Sequence, residues 1–183
     1  HRNGTVDLFK DVNIQIKKGE LIALVGPSGS GKSSFLHLLA LLDDPTKGKI
    51  LLNNKDTKDF TVQEKNQARK KNISIIFQDN NLLSDFTAIE NVMMPLIIRG
   101  EKTNISIEKA KKLLKQVKIQ NRTNHFPNEL SGGEQQRVAI ARALISETDL
   151  ILADEPTGNL DYKTSEDIFS YFLKLKKLNK AII

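Results

Sequence analysis

The sequence predicts an α/β fold with a mainly parallel sheet and an inserted helical segment. Three observations lead to this prediction: short apolar strands alternate with helical patterns, a glycine-rich loop joins one strand to a helix, and no buried strand is evident in residues 81–130. With 183 residues, the chain is expected to form one domain. Residues 1–80 and 131–183 would build the α/β core, and residues 81–130 the helical subdomain.

Apolar runs define the expected strands. Residues 12–16 alternate apolar and polar side chains, whereas residues 21–25 form a continuous apolar run that is typical of a buried parallel strand. The other expected strands are 49–53, 73–77 and 149–153. A turn at Asn54-Lys55 is expected to follow the strand at 49–53.

Helical spacing of apolar residues defines the expected helices. These are 35–42, 132–146 and 164–178, with a further helix around 107–117 inside the helical segment. Ser106 is the expected N-cap of that further helix, because a serine hydroxyl can accept from the first free amides.

Both ends of the sequence are expected to be cut. The first residue is His1 rather than methionine, and residues 180–183 resemble the opening of a strand that continues beyond the last residue. A half-built parallel strand would expose backbone groups and apolar surface. We therefore expect a fragment whose C-terminal strands are truncated.

Composition excludes several classes of protein. No apolar run approaches the roughly 20 residues that span a bilayer, and no basic-then-apolar leader opens the chain. The chain is therefore expected neither to insert in a membrane nor to be exported. The absence of cysteine excludes disulfides and thiolate metal sites.

The net charge of +6 does not by itself indicate a nucleic-acid partner. The lysines are scattered in pairs rather than gathered in a block, and aromatic residues make up only 5% of the chain. We expect solvated lysine faces and no nucleic acid, with attraction to an anionic membrane surface as the alternative.

The glycine-rich loop fits the pattern G-x-x-x-x-G-K-[ST]. Its residues are Gly26, Pro27, Ser28, Gly29, Ser30, Gly31, Lys32 and Ser33. Such a loop turns its amides toward one concavity, which the following helix dipole makes more favourable for phosphate. Lys32 is expected to reach the β- and γ-phosphates, and Ser33 to bind Mg²⁺. A plain glycine turn that caps a helix is the alternative, but the strand before the loop and the helix after it favour nucleotide binding.

A second constellation closes the strand at 149–153 with two carboxylates. Asp154 is expected to hold Mg²⁺ and Glu155 to orient the attacking water, on a strand lying beside the strand of the glycine-rich loop. Adjacent strand residues face opposite sides, so the strand must end here for both side chains to reach one ligand, and Pro156 fits such an ending. A solvated acidic turn is the alternative.

The third constellation is Leu-Ser-Gly-Gly-Glu-Gln-Gln-Arg at 130–137. Ser131 and Glu134 match a capping box at a helix start. A cap does not explain Gly132 and Gly133, which weaken a helix. Close approach of the backbone to a phosphate is the expected reason for these glycines.

Together these motifs resemble the nucleotide-binding domain of ATP-binding cassette (ABC) proteins. The glycine-rich loop, Gln78 after a strand, the signature run at 130–137, the acidic strand and Gly158-Asn159-Leu160-Asp161 follow one another in the family's order. The resemblance covers nearly the whole chain. It implies a P-loop NTPase (RecA-like) fold, ATP and Mg²⁺ as ligands, and ATP hydrolysis by a homodimer.

The resemblance also implies roles for individual residues. Lys32 and Glu155 would be catalytic, and Gln78 would contact ATP and Mg²⁺ and couple to a membrane subunit. Asp161 would lie at the dimer seam. The residues expected to contact the ATP of the opposite subunit are Ser131, Gly132 and Gly133.

Residues 81–96, 124–130 and 154–161 are similar to the lipoprotein-releasing (LolD-type) subfamily, which stands beside MacB-type exporters and FtsE. This similarity implies a peripheral ATPase on the cytoplasmic face of the bacterial inner membrane. Its partner would be a LolC/LolE-like permease pair that releases lipoproteins. The alternatives are a MacB-type exporter, an FtsE-type cell-division regulator, and an inactive truncated nucleotide-binding module.

Two family features are expected near the ends of the chain. His1 falls near the position of the residue that stacks on adenine, with a frayed terminus as the alternative. A switch histidine would follow the strand that opens at Ala181, and the chain ends before it. The 183-residue chain is therefore expected to hydrolyse ATP poorly.

Overall fold

The structure, a computed structural model, describes residues 8–158 and 160–183, so the expected role of His1 and the position of Asn159 lie outside the described residues. The strands are β1 (Leu51–Leu52), β2 (Lys55–Asp56), β3 (Ile73–Ile76), β4 (Leu150–Ala153) and β5 (Ala181–Ile182). The helices are α1 (Lys32–Leu39), α2 (Val62–Asn72), α3 (Ala88–Ile98), α4 (Thr103–Gln116), α5 (Gly132–Leu144) and α6 (Tyr162–Lys177). The predicted α/β fold class is confirmed.

Strands β3, β4 and β5 form a parallel sheet in that order. Ile73 lies opposite Leu150 in the β3–β4 pair, and Leu150 lies opposite Ala181 in the β4–β5 pair. A bridge from Leu21 to Ile182 attaches the strand of the glycine-rich loop to the far side of β5. The expected opening of a strand at the end of the chain is confirmed by β5.

The strand order corrects one prediction. The acidic strand was expected beside the strand of the glycine-rich loop, but β5 lies between β4 and Leu21. The amide of Ile22 donates to the carbonyl of Ile182 at 2.9 Å, and the amide of Ile182 donates to Glu20 at 2.9 Å. A late chain segment thus takes the place between two strands that were expected to be neighbours.

Two predicted strands differ from the structure: one is reduced to a single bridge, and the other is not formed among the described residues. The run at 21–25 pairs only at Leu21, and the side chain of Val25 is 93% exposed, so this segment is no fully buried strand. Residues 12–16 form no strand among the described residues, and most of their side chains are exposed. An alternating sequence pattern does not by itself provide a neighbouring strand, and a strand needs one for its backbone hydrogen bonds.

The sheet is buried on both faces, as a parallel sheet with helices on each side requires. Ile151 belongs to the cluster that packs against α3, α5 and α6, whereas Leu152 belongs to the cluster that packs against α1 and α2. Ser74 on β3 is buried with its hydroxyl 2.7 Å from that of Thr148, so this polar group is satisfied within the core.

The segment 81–130 contains α3, α4 and two short 3-10 turns, and no strand among its residues, all of which are described. The expected N-cap at Ser106 is wrong, because α4 begins at Thr103 with Lys102 as its N-cap. Ser106 is buried inside the helix, where its hydroxyl donates to the carbonyl of Lys102 at 3.1 Å. The serine therefore satisfies itself within the first turn instead of preceding it.

Two boundaries near the amino-terminal half also differ from prediction. Helix α1 ends at Leu39 rather than at residue 42, because Leu41 adopts a left-handed φ of 56°. The turn between β1 and β2 lies at Asn53 and Asn54, whose φ angles are 51° and 65°. Two consecutive left-handed residues are typical of a tight hairpin turn, so the turn occupies residues 53 and 54 rather than the expected 54 and 55.

No helix within the described ranges is both long and apolar enough to cross a bilayer. Helices α5 and α6 begin where predicted to within two residues, and β3 and β4 each lie inside their expected ranges.

Replacing Leu114 by alanine should lower the free energy of unfolding by about 2–5 kcal/mol, because the Leu114 side chain on α4 is 0% exposed and its removal leaves a cavity. Urea unfolding followed by circular dichroism would measure the change. Leu178→Ala, at a side chain that is 69% exposed, is the matched control and should change stability by less than about 0.5 kcal/mol. Equal losses in the two variants would contradict the packing described above.

Candidate functional site

The glycine-rich loop leads directly into α1. Gly29 and Gly31 have left-handed φ angles of 78° and 89°, and α1 begins at Lys32. Glycine tolerates these angles because it has no Cβ. The loop can therefore turn tightly enough to direct successive amides toward one side.

Several amides of this loop are available to a ligand. Within residues 8–158 and 160–183, no acceptor receives the N–H groups of Gly31, Lys32 or Ser33, whereas the amide of Ser30 donates to Pro27 at 3.3 Å. Such a group of amides at a helix N-terminus carries partial positive charge and binds phosphate oxygens. The loop geometry therefore fits the phosphates of a nucleotide.

Lys32 lies over this loop. Its Nζ donates to the carbonyl oxygens of Gly26 at 2.9 Å and Pro27 at 3.0 Å. The side chain is half-buried, and these two bonds keep its charge on the loop. Because these bonds are to neutral carbonyls, an anion in the loop can compete for the same ammonium group.

Two aromatic rings pack beside the glycine-rich loop. Phe9 and Phe35 meet edge to face with their ring centroids 5.6 Å apart. A Cβ placed on Gly31 would come within 3.2 Å of the Phe9 ring and 3.3 Å of the Leu8 side chain. Gly31 is therefore required both by its backbone angle and by the close approach of residues 8 and 9.

The parallel register of β3 and β4 brings Gln78 and Glu155 together. Nε2 of Gln78 donates to Oε2 of Glu155 at 3.2 Å, and both side chains are exposed. The amide of Asp154 donates to Ile76 at 2.9 Å, which continues the ladder by one step beyond β4. Glu155 then adopts a left-handed φ of 45°, so the strand ends at the acidic pair as predicted.

The signature run begins α5 with the expected capping box. The amide of Ser131 donates to Oε2 of Glu134 at 2.8 Å, and the amide of Glu134 donates to Oγ of Ser131 at 3.3 Å. The bond from the Ser131 amide is the main reason that the pKa of Glu134 is lowered. A Cβ on Gly132 would meet nothing within 4 Å, so the helix tip presents open backbone.

The loop that follows the acidic pair packs against this helix tip. A Cβ on Gly133 would lie 3.4 Å from Cδ2 of Leu160. Asp161 caps α6, with its Oδ1 accepting from the amide of Thr164 at 3.0 Å. Hydrogen bonds from Thr164 lower the pKa of Asp161, so its carboxylate stabilises the helix start.

Sequence reasoning missed Gln136, which joins the two motifs. Gln136 is buried on α5, and its Nε2 donates to the carbonyl of Pro156 at 3.0 Å. The only available signal was its helical spacing, which places it on the same face as the apolar Ala139 and Ala143. The bond fixes the signature helix to the loop that carries Glu155.

The structure does not join all of the predicted residues. Among the described residues, no hydrogen bond connects the loop at 26–33 with Ser131, Gly132 or Gly133. Nor does one connect Ser33 with Gln78 or Asp154 in that part of the chain. We call the loop at 26–33 the phosphate loop and the helix start at 131–133 the signature tip; in a single copy no hydrogen bond among the described residues joins them.

Comparison with known proteins identifies the family. A family model described as "ABC transporter" matches residues 9–158. The chain is 47% identical over 182 residues to the lipoprotein-releasing system ATP-binding protein LolD of Rickettsia bellii, covering 99% of this chain and 80% of the relative. It is 46% identical over 178 residues to an uncharacterized ABC transporter ATP-binding protein of Thermotoga maritima, covering 97% and 76% of the two chains.

The fold comparison agrees with the sequence comparison. The chain is similar to the dimeric structure of a post-hydrolysis state of the ATP-binding cassette MJ0796 bound to ADP and Pi. The TM-score is 0.94 at 40% identity, and the match covers 100% of this chain and 81% of that one. The chain therefore belongs to the ABC transporter family, as a LolD-like ATP-binding subunit with an ATP-hydrolysing cassette.

Proposed function

We propose that this cassette works as a homodimer that hydrolyses ATP to release lipoproteins from the inner membrane through a LolC/LolE-type permease pair. The observation that carries the proposal is the hydrogen bond between Gln78 and Glu155 at the ends of β3 and β4. The segment that leads into the phosphate loop joins the same sheet through the bridge at Leu21. Ligands in parallel α/β sheets bind at the carboxyl ends of the strands.

The phosphate loop would hold the triphosphate. The free amides of Gly31, Lys32 and Ser33 fit its β- and γ-phosphate oxygens, and Lys32 would exchange its carbonyl partners for them. Residues 26–33 as a whole would form the binding loop. Mg²⁺ would be held by Ser33, Gln78 and Asp154, whose oxygen atoms suit a hard cation, and would neutralise charge on the phosphates.

Glu155 would orient the attacking water and accept its proton. The water oxygen would bond to the γ-phosphorus as the bond to the β–γ bridging oxygen breaks, which leaves ADP and phosphate. Lys32 and the loop amides would stabilise the charge that develops on the transferred phosphoryl group. Gln78 donates to Glu155 at 3.2 Å, and so can hold the carboxylate on the side from which water attacks.

The signature tip would complete the site of a second copy. Ser131 and Gly132 are exposed, and no hydrogen bond ties them to the phosphate loop of their own copy among the described residues. A head-to-tail pair would place them on the γ-phosphate bound by the partner, with Gly133 beside them and Asp161 at the seam. The related MJ0796 cassette has been solved as a dimer, which supports a homodimer of this chain.

The permease would dock on the loop before α3, on the cytoplasmic side of the inner membrane. Asn91 is fully buried and holds this loop: its Oδ1 accepts from the amide of Leu83 at 2.8 Å, and its Nδ2 donates to the carbonyls of Leu83, Phe86 and Thr87. The loop is held by these bonds and exposes Leu83 and Phe86. These two apolar side chains could be buried against the permease, which is why we propose the contact here.

Gly31→Ala should reduce ATP affinity by at least about tenfold, because the left-handed φ of 89° and the contact at 3.2 Å with Phe9 force the phosphate loop to move. Fluorescence titration with an ATP analogue would measure the affinity. Gly48→Ala is the control, since Gly48 has a similar φ of 86° and an open surrounding. If both variants bind ATP like the original protein, the loop is not the phosphate site.

Glu155→Gln should retain ATP binding while slowing hydrolysis by at least about a hundredfold, because the amide cannot accept the proton of the attacking water. The variant should accumulate as an ATP-bound dimer, which light scattering detects. Lys32→Ala should instead lose tight ATP binding. A hydrolysis rate for Glu155→Gln equal to that of the original protein would rule out Glu155 as the base.

Phe86→Asp should abolish co-purification with a LolC/LolE-type permease pair and leave ATP binding unchanged, because a charge replaces an exposed apolar side chain on the docking loop. Lipoproteins should then stay in the inner membrane. Phe169→Asp is the control, on the outer side of α6 with 54% of its surface exposed. Intact complexes of the Phe86 variant would show that the permease docks elsewhere.

A further inference from the structure

The guanidinium of Arg142 joins α5 to the turn that follows Gln78. Its Nη1 donates to the carbonyl of Asn81 at 2.5 Å, and its Nη2 donates to the carbonyl of Asn80 at 2.6 Å. One planar group thus holds two successive carbonyls with its two terminal nitrogens. A lysine, with a single nitrogen, cannot reproduce this fork.

The environment of Arg142 is unfavourable for a charge. The side chain is half-buried, and burial lowers the pKa of Arg142. Among residues 8–158 and 160–183, no carboxylate forms an ion pair with it. Burying a charge costs free energy unless hydrogen bonds compensate, and here the carbonyls of Asn80 and Asn81 provide that compensation.

The turn that Arg142 holds has an unusual backbone. Asn80 and Asn81 are both left-handed, with φ angles of 57° and 45°, and Oδ1 of Asn80 is buried with no hydrogen-bond partner among the described residues. Left-handed angles are uncommon outside glycine, although asparagine adopts them more readily than most residues, and such a turn is better defined when another contact constrains it. The fork from Arg142 supplies that constraint.

The turn lies next to the residues of the proposed site. Gln78 lies two residues before Asn80 and donates to Glu155 at 3.2 Å. Arg142 lies about 15 Å along α5 from the signature tip, at 1.5 Å per residue. The same helix also reaches the loop after Glu155 through Gln136, which donates to Pro156. Helix α5 therefore holds the loops on both sides of the Gln78–Glu155 contact.

We propose that Arg142 is a positioning residue for ATP hydrolysis: its fork on Asn80 and Asn81 sets Gln78 against Glu155 and ties that contact to α5. Arg142 acts through the backbone and touches neither nucleotide nor metal. The inference rests on the proposed role of Gln78 in the Mg²⁺–ATP site. It adds a residue that links the signature helix to the ligand-binding glutamine inside one copy.

The test compares Arg142→Met with Arg99→Met. Arg99 is the matched control, because it also donates to two backbone carbonyls, those of Ser146 at 2.7 Å and of Lys70, but lies away from Gln78. Arg142→Met should lower kcat and raise the Mg²⁺ concentration for half-maximal hydrolysis by about 10- to 100-fold, the usual effect of losing a partner behind a ligand. ATP affinity should change less than about threefold, because the phosphate loop is intact.

A double-mutant cycle with Gln78→Ala separates positioning from general stability. If Arg142 acts through Gln78, Arg142→Met should add nothing to the Mg²⁺ dependence of a Gln78→Ala protein. Additive effects of the two substitutions would overturn the proposal. The proposal would also be overturned if Arg142→Met lost as much thermal stability as Arg99→Met but kept the Mg²⁺ dependence of the unsubstituted protein.

Two further measurements keep the outcome decisive. Hydrogen exchange at the amides of residues 79–83 should accelerate in Arg142→Met and stay unchanged in Arg99→Met, and unchanged exchange in both would refute the fork. Arg142→Lys covers the case in which the methionine variant does not fold, and should show an intermediate shift in Mg²⁺ dependence. If the unsubstituted protein neither binds nor hydrolyses ATP, the proposed function is refuted. The hydrogen-exchange experiment would still test whether Arg142 holds the turn at Asn80 and Asn81.

Discussion

The parallel register of β3, β4 and β5 is the constraint on which the site depends. It sets Ile76 opposite Ala153, so that Gln78 leaves the sheet beside Asp154 and Glu155. The bond from the Asp154 amide to Ile76 extends the register to the acidic pair itself. A slip of one residue would turn every β4 side chain to the other face and separate Glu155 from Gln78. Ile151 packs in one core cluster and Leu152 in the other, so a slip would exchange side chains between two differently packed faces and lose packing free energy.

Helix α5 turns this register into a rigid site. It packs in the larger core beside α3 and α4, and two of its polar side chains reach out to the loops at the ends of the strands. Gln136 holds the loop after β4, and Arg142 holds the turn after β3. The exposed tip of the same helix carries Ser131 and Gly132. One helix thus packs on the sheet, carries the signature tip and holds both strand-end loops. A displacement at the tip could therefore be transmitted to Glu155 through α5.

Much of the site was predictable because its motifs are local in sequence. The phosphate loop, the capping box at Ser131 and the end of β4 at the acidic pair each depend on residues within a few positions of one another. The strand order was not predictable in the same way, because β5 enters between β4 and Leu21, and Leu21 is more than 100 residues away from β5 along the chain. The contacts of Gln136 and Arg142 are also long-range. The sequence showed only that each is a polar side chain on a helix that also carries Glu134, Gln135 and Arg137.

The central claim is that each ATP is held by two copies of the chain, and mixing two damaged copies tests it most directly. Both carry Glu155→Gln; one also carries Lys32→Ala and the other Gly132→Asp, a change that the open space around Gly132 admits and whose charge repels phosphate. In a shared site, only a mixed pair retains one intact phosphate loop facing one intact signature tip. Sedimentation velocity with ATP should therefore show monomers of each variant alone and dimers in the mixture. A mixture that stays monomeric, or a single variant that dimerises by itself, would contradict the account.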